Sequence, residues 1–338
     1  MPSNAVAARQ PQDQFIGVTM IVLTLAGWTS IPLFLHFFAD KIDLWTSNGW
    51  RYGIAALVWA PVVVLGAMRR TLPAGVWKKA LWPAGLNAVA QVFFTGAFYK
   101  LDPAMAAFGL RSNIVFAALG AALLFAAERR VIRSWGFLAG MVMVVGGTCG
   151  TLFLDSSFGD KTSAIGIVYA VLAGALYAAY ALAVRVCMKG VPTLVSFSVI
   201  SLYTAGAMVG LMLAFGEGGG AVAFTLNAGE WLLLIVSALV GIAMGHVTYY
   251  IGIERLGVAV SAGVIQLQPF TVAAASGPIF GEFLTGAQWG LGAVAVVGTI
   301  VMLVVQSRIT KRAAATKAGI CELEPDADAA AARAEREV

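Results

Sequence analysis

Arg111 and His246 are the residues with the most evident chemistry in this chain, because each sits deep in a stretch that is otherwise apolar. A guanidinium in that setting offers a planar fork of donors to a carboxylate or phosphate. It can equally snorkel or bond helix carbonyls. His246 is the one deep side chain whose unperturbed pKa lies near neutrality, which makes it the candidate for proton coupling. Arg51, the third ionisable group at such depth, reads more as a structural residue bonding carbonyls or an aromatic such as Trp50. No Asp or Glu lies deep in any apolar stretch.

Polar and aromatic residues recur around these groups at helical spacing. His246, Tyr249 and Tyr250 share one helix face, as do Asn87, Gln91 and Phe94, and Tyr177 with Tyr180. Trp28 and Pro32 are one turn apart. These sets are candidates to line a solute cavity, with bonding and packing between helices as the alternative. Gln266 and Gln268 align with Arg111 and Asn113 in the repeat described below. Residues two apart lie about 200° apart around a helix, so Arg111 and Gln266 are the expected inward pair. Pro32 and Pro269 are expected kinks, because proline frees a carbonyl one turn back. No paired deep carboxylates, serine–base set or histidine cluster is evident, so neither an enzyme nor a metal or cofactor site is expected. Cys149, Cys187 and Cys321 are too few and too scattered for a disulfide framework.

The elements that would position these residues follow from composition. Of 338 residues, only 12% are charged and 60% are hydrophobic, against about 25% charged in an average soluble protein. That excludes an ordinary soluble enzyme, a disordered chain and a nucleic-acid binder, and makes the lipid bilayer the main partner. A span needs about 20 apolar residues. Ten such stretches are expected, at roughly 15–37, 45–67, 81–100, 103–126, 134–154, 164–187, 193–215, 230–253, 257–280 and 286–307. With the N-terminus inside, seventeen Lys and Arg fall on the inner side, three on the outer side and two within spans. The positive-inside rule then puts both termini in the cytoplasm, as in a bacterial cytoplasmic membrane. Residues 1–14 are expected to form a polar cytoplasmic N-terminal segment before a retained first span, and 308–338 a frayed or partly helical cytoplasmic tail. The glycine cluster at Gly216 and Gly218–Gly220 reads as a flexible outer loop. Pairs such as Gly136/Gly140, Gly146/Gly150 and Gly206/Gly210 permit close helix packing, in the bundle or in a homodimer.

The chain also repeats itself. Lys100-Leu101-Asp102-Pro103-Ala104 corresponds to Arg255-Leu256-Gly257-Val258-Ala259. Each leads into an Ala/Gly-rich helix that runs to a glutamate, Glu128 or Glu282, followed by Trp135-Gly136 or Trp289-Gly290. Ile16-Gly17 corresponds to Ile165-Gly166. Two halves of five spans, 15–154 and 164–307, are expected, and an odd number inverts the second in the membrane. The arginines that follow Glu128 have no counterpart after Glu282, as opposite sidedness requires. Inverted repeats are a common build of secondary transporters.

These residues resemble the drug/metabolite transporter superfamily, specifically its EamA-type members. The resemblance rests on Tyr99 through Ala107 to Glu128-Arg129, and on Gly252 through Ala259, Gln268-Pro269 and Phe280-Gly281-Glu282. It covers about residues 15–307. It implies an all-α membrane protein that moves amino acids, other metabolites or drugs, often outward, without a cofactor. It also implies a central cavity lined by the first, third, fourth, sixth, eighth and ninth helices. Pro269 aligns with Ile114, where many relatives keep proline, so unequal kinking of the two halves is expected.

Overall fold

In a computed structural model, residues 11–154, 161–256 and 258–309 are described, and among them every regular element is helical. In chain order these are α1 (Pro11–Ala39), α2 (Leu44–Met68), α3 (Val76–Phe98), α4 (Pro103–Gly109), α5 (Ser112–Leu124), α6 (Ala126–Ile132) and α7 (Trp135–Phe153). The chain continues with α8 (Lys161–Cys187), α9 (Thr193–Phe215), a 3₁₀ segment (Glu217–Thr225), α10 (Ala228–Ser237), a π-helical stretch (Ala238–Met244) and α11 (Gly245–Leu256). It ends with α12 (Val258–Ile265), α13 (Gln268–Phe280) and α14 (Gly286–Ile309).

Among the described residues, 8 helical segments are long and apolar enough to cross a membrane. The other two expected spans are also helical, in different form. α3 is 23 residues long and carries Lys78, Lys79, Asn87 and Gln91, which dilute its hydropathy. The expected span at 257–280 is divided into α12 and α13 by a break at Gln266-Leu267. The stretch expected at 103–126 is divided as well: α5 stops at Leu124, Phe125 is extended, and Glu128 sits on the short α6. Most of the residues expected in the tail, and most of those in the N-terminal segment, lie outside the described residues, as does Cys321.

The segments are apolar on nearly every side, and large hydrophobic side chains such as Leu57, Trp82, Val142, Leu213 and Leu232 stand exposed. A helix that is apolar all round suits hydrocarbon rather than water. Small residues set the contacts inside. Gly140 faces the Gly298 carbonyl, where a Cβ would lie 2.7 Å away, and Gly147 faces the Leu291 carbonyl at 2.5 Å. α7 and α14 therefore approach backbone to backbone, and this part of the glycine ridge is used within the chain.

Several contacts occur twice. α3 packs along α8, and α1 packs along α11. Gly17 in α1 meets Arg255 and Leu256, while Gly166 in α8 meets Lys100 and Leu101. Trp28 in α1 meets His246 and Tyr249, with ring centroids 5.5 and 5.1 Å away, while Tyr177 in α8 bonds Gln91 and meets Phe94 at 5.7 Å. In each case the first long helix of one half lies against the helix of the other half that precedes its broken helix pair.

The glycine cluster is ordered rather than a loose loop. Gly218, Gly219 and Gly220 adopt φ of 59°, 67° and 91°, a left-handed region that only glycine enters at little cost. The Trp50 indole N–H donates to the Gly220 carbonyl at 3.1 Å and so fixes the turn. Trp50 packs on Phe224 and Trp231, and not on Arg51 as expected.

Candidate functional site

Two broken helices meet in the middle of the bundle. α12 ends and α13 begins around Gln266-Leu267, because Pro269, in the first turn of α13, has no N–H to give the Ile265 carbonyl. The helix of the other half breaks at the aligned place, Leu110-Arg111, although Ile114 stands where a proline would be. Both are thus interrupted, with a proline beside the break in only one of them. Gly174 of α8 makes room for the second break: a Cβ there would lie 2.5 Å from Ser112 Oγ and 3.0 Å from the Asn113 nitrogen.

Arg111 leaves its break and bonds the other. Nη1 donates to Gln266 Oε1 at 3.3 Å, and Nη2 donates to Gln268 Oε1. The expected choice between Gln266 and Gln268 does not arise, since the interrupted helix no longer separates them by the regular angle. Gln268 Nε2 donates in turn to the Trp28 carbonyl at 2.7 Å. That carbonyl is free because its regular helical donor would be residue 32, which is proline. Sequence reasoning weighs Gln268 and prefers Gln266; the signal in favour of Gln268 is a polar side chain beside Pro269, with a second carbonyl-freeing proline at residue 32.

The guanidinium has neutral partners. None of the three ion pairs among the described residues involves Arg111 or Arg51. Arg111 Nε is buried without a hydrogen-bond partner, as are Ser112 Oγ and Asn113 Oδ1 beside it in the chain. Tyr249 lies within electrostatic reach of Arg111. A buried, uncompensated cation with spare donors favours an anionic group.

Aromatic rings stand beside this centre. His246 stacks on Phe197 at 4.7 Å and meets the Trp28 edge, and Phe197 also touches Tyr250. His246 Nδ1 is buried without a hydrogen bond of good geometry, its nearest acceptor being the Ile242 carbonyl one turn back. Trp28 can lie so close because residue 245 is glycine: a Cβ there would be 2.4 Å from the indole nitrogen. Tyr180, Phe197 and Tyr250 wall a pocket of about 180 Å³ that extends to Arg185 and Lys189. A second pocket, about 320 Å³, runs from Ile114 and Ala118 to Glu128, Arg185 and Gln306. Both lie toward the end of the bundle that holds Arg185.

Asn87 and Gln91 fall within a neighbouring polar network, while Phe94 packs on Phe98 and Tyr177. Asn87 Nδ2 donates to Thr204 Oγ1 at 3.1 Å, Asn48 Nδ2 donates to the Gln91 carbonyl, and Thr95 Oγ1 donates to Asn48 Oδ1 at 2.7 Å. Arg51 is 2% exposed and its Nε donates to Ser237 Oγ at 3.0 Å, where α10 passes into the π-helical stretch. Tyr52, Tyr99 and Tyr177 surround it electrostatically. It braces an irregular helix.

The end opposite the pockets is tied by three contacts. His36 Nε2 lies 3.0 Å from Glu282 Oε1, Lys41 Nζ lies 2.7 Å from Glu230 Oε1, and Asp43 Oδ2 accepts the Glu217 N–H at 3.0 Å. Burial opposes ionisation of Asp43, but hydrogen bonds from Thr46, Glu217 and Trp45 outweigh it and hold the carboxyl below its ordinary value. The Glu282 carboxyl is likewise held low: burial is outweighed by bonds from His36 and Ser276 and by the His36 charge.

Comparison with known proteins agrees with this picture. The model of the EamA-like transporter family matches residues 164–304. A solved crystal structure of a protein matches at a TM-score of 0.55 and 18% identity, covering 89% of this chain and 98% of that one. At that identity the likeness speaks for the fold. No curated protein matches. Together with the apolar helices, the family likeness indicates an integral, multi-pass membrane protein. Residues 164–304 are thus similar to the EamA-like transporter family, a family of membrane transporters of the drug/metabolite superfamily.

Proposed function

We propose that the protein is a secondary transporter of a small organic solute, an amino acid or related carboxylate, working by alternating access. The observation that carries this reading is the meeting of two broken helices at Arg111, Gln266 and Gln268. Broken helices at a repeat interface are where secondary transporters bind solute, and an uncompensated guanidinium there is matched to a carboxylate. Trp28, Tyr249 and the Phe197–His246 stack supply apolar walls; Asn87, Gln91, Phe94, Tyr177, Tyr180 and Tyr250 extend the lining. The twofold recurrence of contacts supports ten spans in two inverted five-helix halves, 15–154 and 164–307. In the orientation that puts both termini in the cytoplasm of a bacterial cell, the pockets lie on the inner side and the His36–Glu282 end is outer. Export is the direction in keeping with the family. A homodimer would use the Gly206/Gly210 face of α9, where added methyl groups would meet nothing within 4 Å.

Binding tests the site directly. Purified protein titrated with a panel of amino acids and other carboxylates should be thermally stabilised by at least one. Arg111→Gln should weaken that ligand by about tenfold or more, as loss of a charge-assisted pair implies. Unchanged binding by a folded Arg111→Gln protein would remove the assignment. Coupling through His246 predicts that His246→Gln abolishes uptake driven by a proton gradient; full gradient-driven uptake would refute it. A second reading, export of amphipathic drugs, is favoured by the aromatic wall of the 180 Å³ pocket. It predicts that Phe197→Ala, and not Arg111→Gln, weakens the bound ligand.

A further inference from the structure

The ion pairs at the two ends of the bundle are the same arrangement built twice, with one exchange that alters its chemistry. His36, in the last turn of α1, reaches Glu282 at 3.0 Å and sets its ring against Phe280, with centroids 4.9 Å apart. Arg185, in the last turn of α8, reaches Glu128 at 3.1 Å and lies 4.0 Å from the centre of the Phe125 ring. In the register set by Gly17 with Gly166, His36 is the counterpart of Arg185. In the register set by Lys100 with Arg255, Phe280 is the counterpart of Phe125, and the Trp-Gly motifs match Glu282 with Glu128. Each pair ties the first helix of one half to the end of the broken helix pair in the other. It therefore crosses the seam that must open for a solute to leave by that end.

The groups facing His36 are few. Its Nδ1 lies 3.4 Å from the Phe98 carbonyl of α3, and Asp102, ahead of α4, acts on it electrostatically. Glu282 is held by His36, by Ser276 Oγ at 2.6 Å and by Asp102. The charged cluster is thus one histidine and two carboxylates, one from each half of the chain. At the other end the position aligned with Asp102 is Gly257, so no second acid is supplied there. Glu128 instead accepts from Gln306 at 3.5 Å.

We propose that His36–Glu282 is a proton-dependent lock on one end of the transport path, closed when His36 is protonated and released when it is neutral, and that Arg185–Glu128 is its permanently charged counterpart. A guanidinium stays charged at every working pH, whereas an imidazole changes charge between about pH 5 and 8. Glu282, whose carboxyl is held below its ordinary value, stays ionised across that window. Loss of the His36 proton therefore removes the attraction that ties α1 to Glu282 across the seam. The sign follows: raising the pH on that side opens that end, and acid shuts it.

The lock goes beyond the transport reading and is tested by shape, not flux, so the two can fail separately. Full-length protein in lipid nanodiscs, with Cys149, Cys187 and Cys321 replaced by alanine, would carry spin labels at Asp40→Cys and Gly286→Cys. A second sample would carry them at Arg130→Cys and Lys189→Cys. Pulsed electron spin resonance distances would be taken from pH 5 to 8.5. The separated population at the His36 end should rise about three- to tenfold with pH. His36→Arg should abolish that dependence and keep the end closed, and Glu282→Gln should leave it open at every pH. An unchanged distribution in the parent protein, or a His36→Arg protein that still responds to pH, would overturn the proposal. So would a Glu282→Gln protein that remains closed.

Discussion

Gln268 holds two groups that proline and burial leave exposed, the Trp28 carbonyl and the Arg111 guanidinium. Gln268→Leu leaves the Trp28 carbonyl without a partner and takes one of two acceptors from Arg111, so it should cost about 1–3 kcal/mol and lower the thermal midpoint in detergent or nanodiscs. Gln268→Glu should instead be better tolerated, because it keeps an acceptor for Arg111. Trp28 imposes the opposite kind of constraint. A methyl group at residue 245 would lie 2.4 Å from its indole nitrogen. Gly245→Ala should therefore destabilise the protein by about 1–3 kcal/mol, while Gly206→Ala, where nothing of the same chain lies within 4 Å, should leave the stability of the single bundle unchanged. Asp43 supplies a pH-dependent case. Its carboxyl is held below its ordinary value, so the stability it contributes is present above about pH 4 and is lost as pH falls through its folded pKa. Thermal melts from pH 5 to pH 3 should show a smaller decline in Asp43→Asn, which still caps α2 but does not titrate.

Irregular helices carry the candidate site, and they account for what the sequence did and did not disclose. Length and hydropathy located the long helices to within a few residues, as with Trp135–Phe153 and Thr193–Phe215. Pro269 made the α12–α13 break foreseeable. The break at Leu110-Arg111 has only Gly109 beside it as a local signal, and it lies where Gly174 of another helix approaches closely. The π-helical stretch after Ser237 is equally invisible, because Arg51, far away in sequence, holds its start. Spacing placed His246 with Trp28 and Tyr249 only in the sense of a shared face; the contacts needed tertiary structure. His36 escaped attention because a single histidine near a helix end has no motif, and its partner Glu282 is far along the chain. Pro32 belongs to the same scale. Pro32→Ala would restore an N–H for the Trp28 carbonyl, in competition with Gln268. It should raise the thermal midpoint and slow solute exchange, measured on one preparation by melting and by flux.

Across the whole molecule, the low charge of the chain resolves into a small number of placed groups: basic loops at one end, an acid–histidine lock at the other, and two arginines between them with neutral partners. The recurrence of Gly17 on Leu256 and Gly166 on Leu101 supports the proposal of two equivalent halves. If the halves rock against each other, these glycines are matched bearings, and Gly17→Leu and Gly166→Leu should each reduce stability by about 1–3 kcal/mol through overpacking. A change at only one of them would argue against equivalence. The central claim is that the bundle moves a carboxylate-bearing solute past Arg111. Its most direct measurement is solute counterflow in proteoliposomes, with a panel of amino acids and other carboxylates and with the Arg111→Gln protein alongside. The account predicts saturable exchange of at least one carboxylate that the substitution reduces by about tenfold or more. Absence of exchange by folded protein across the panel, or exchange that Arg111→Gln leaves unchanged, would contradict it.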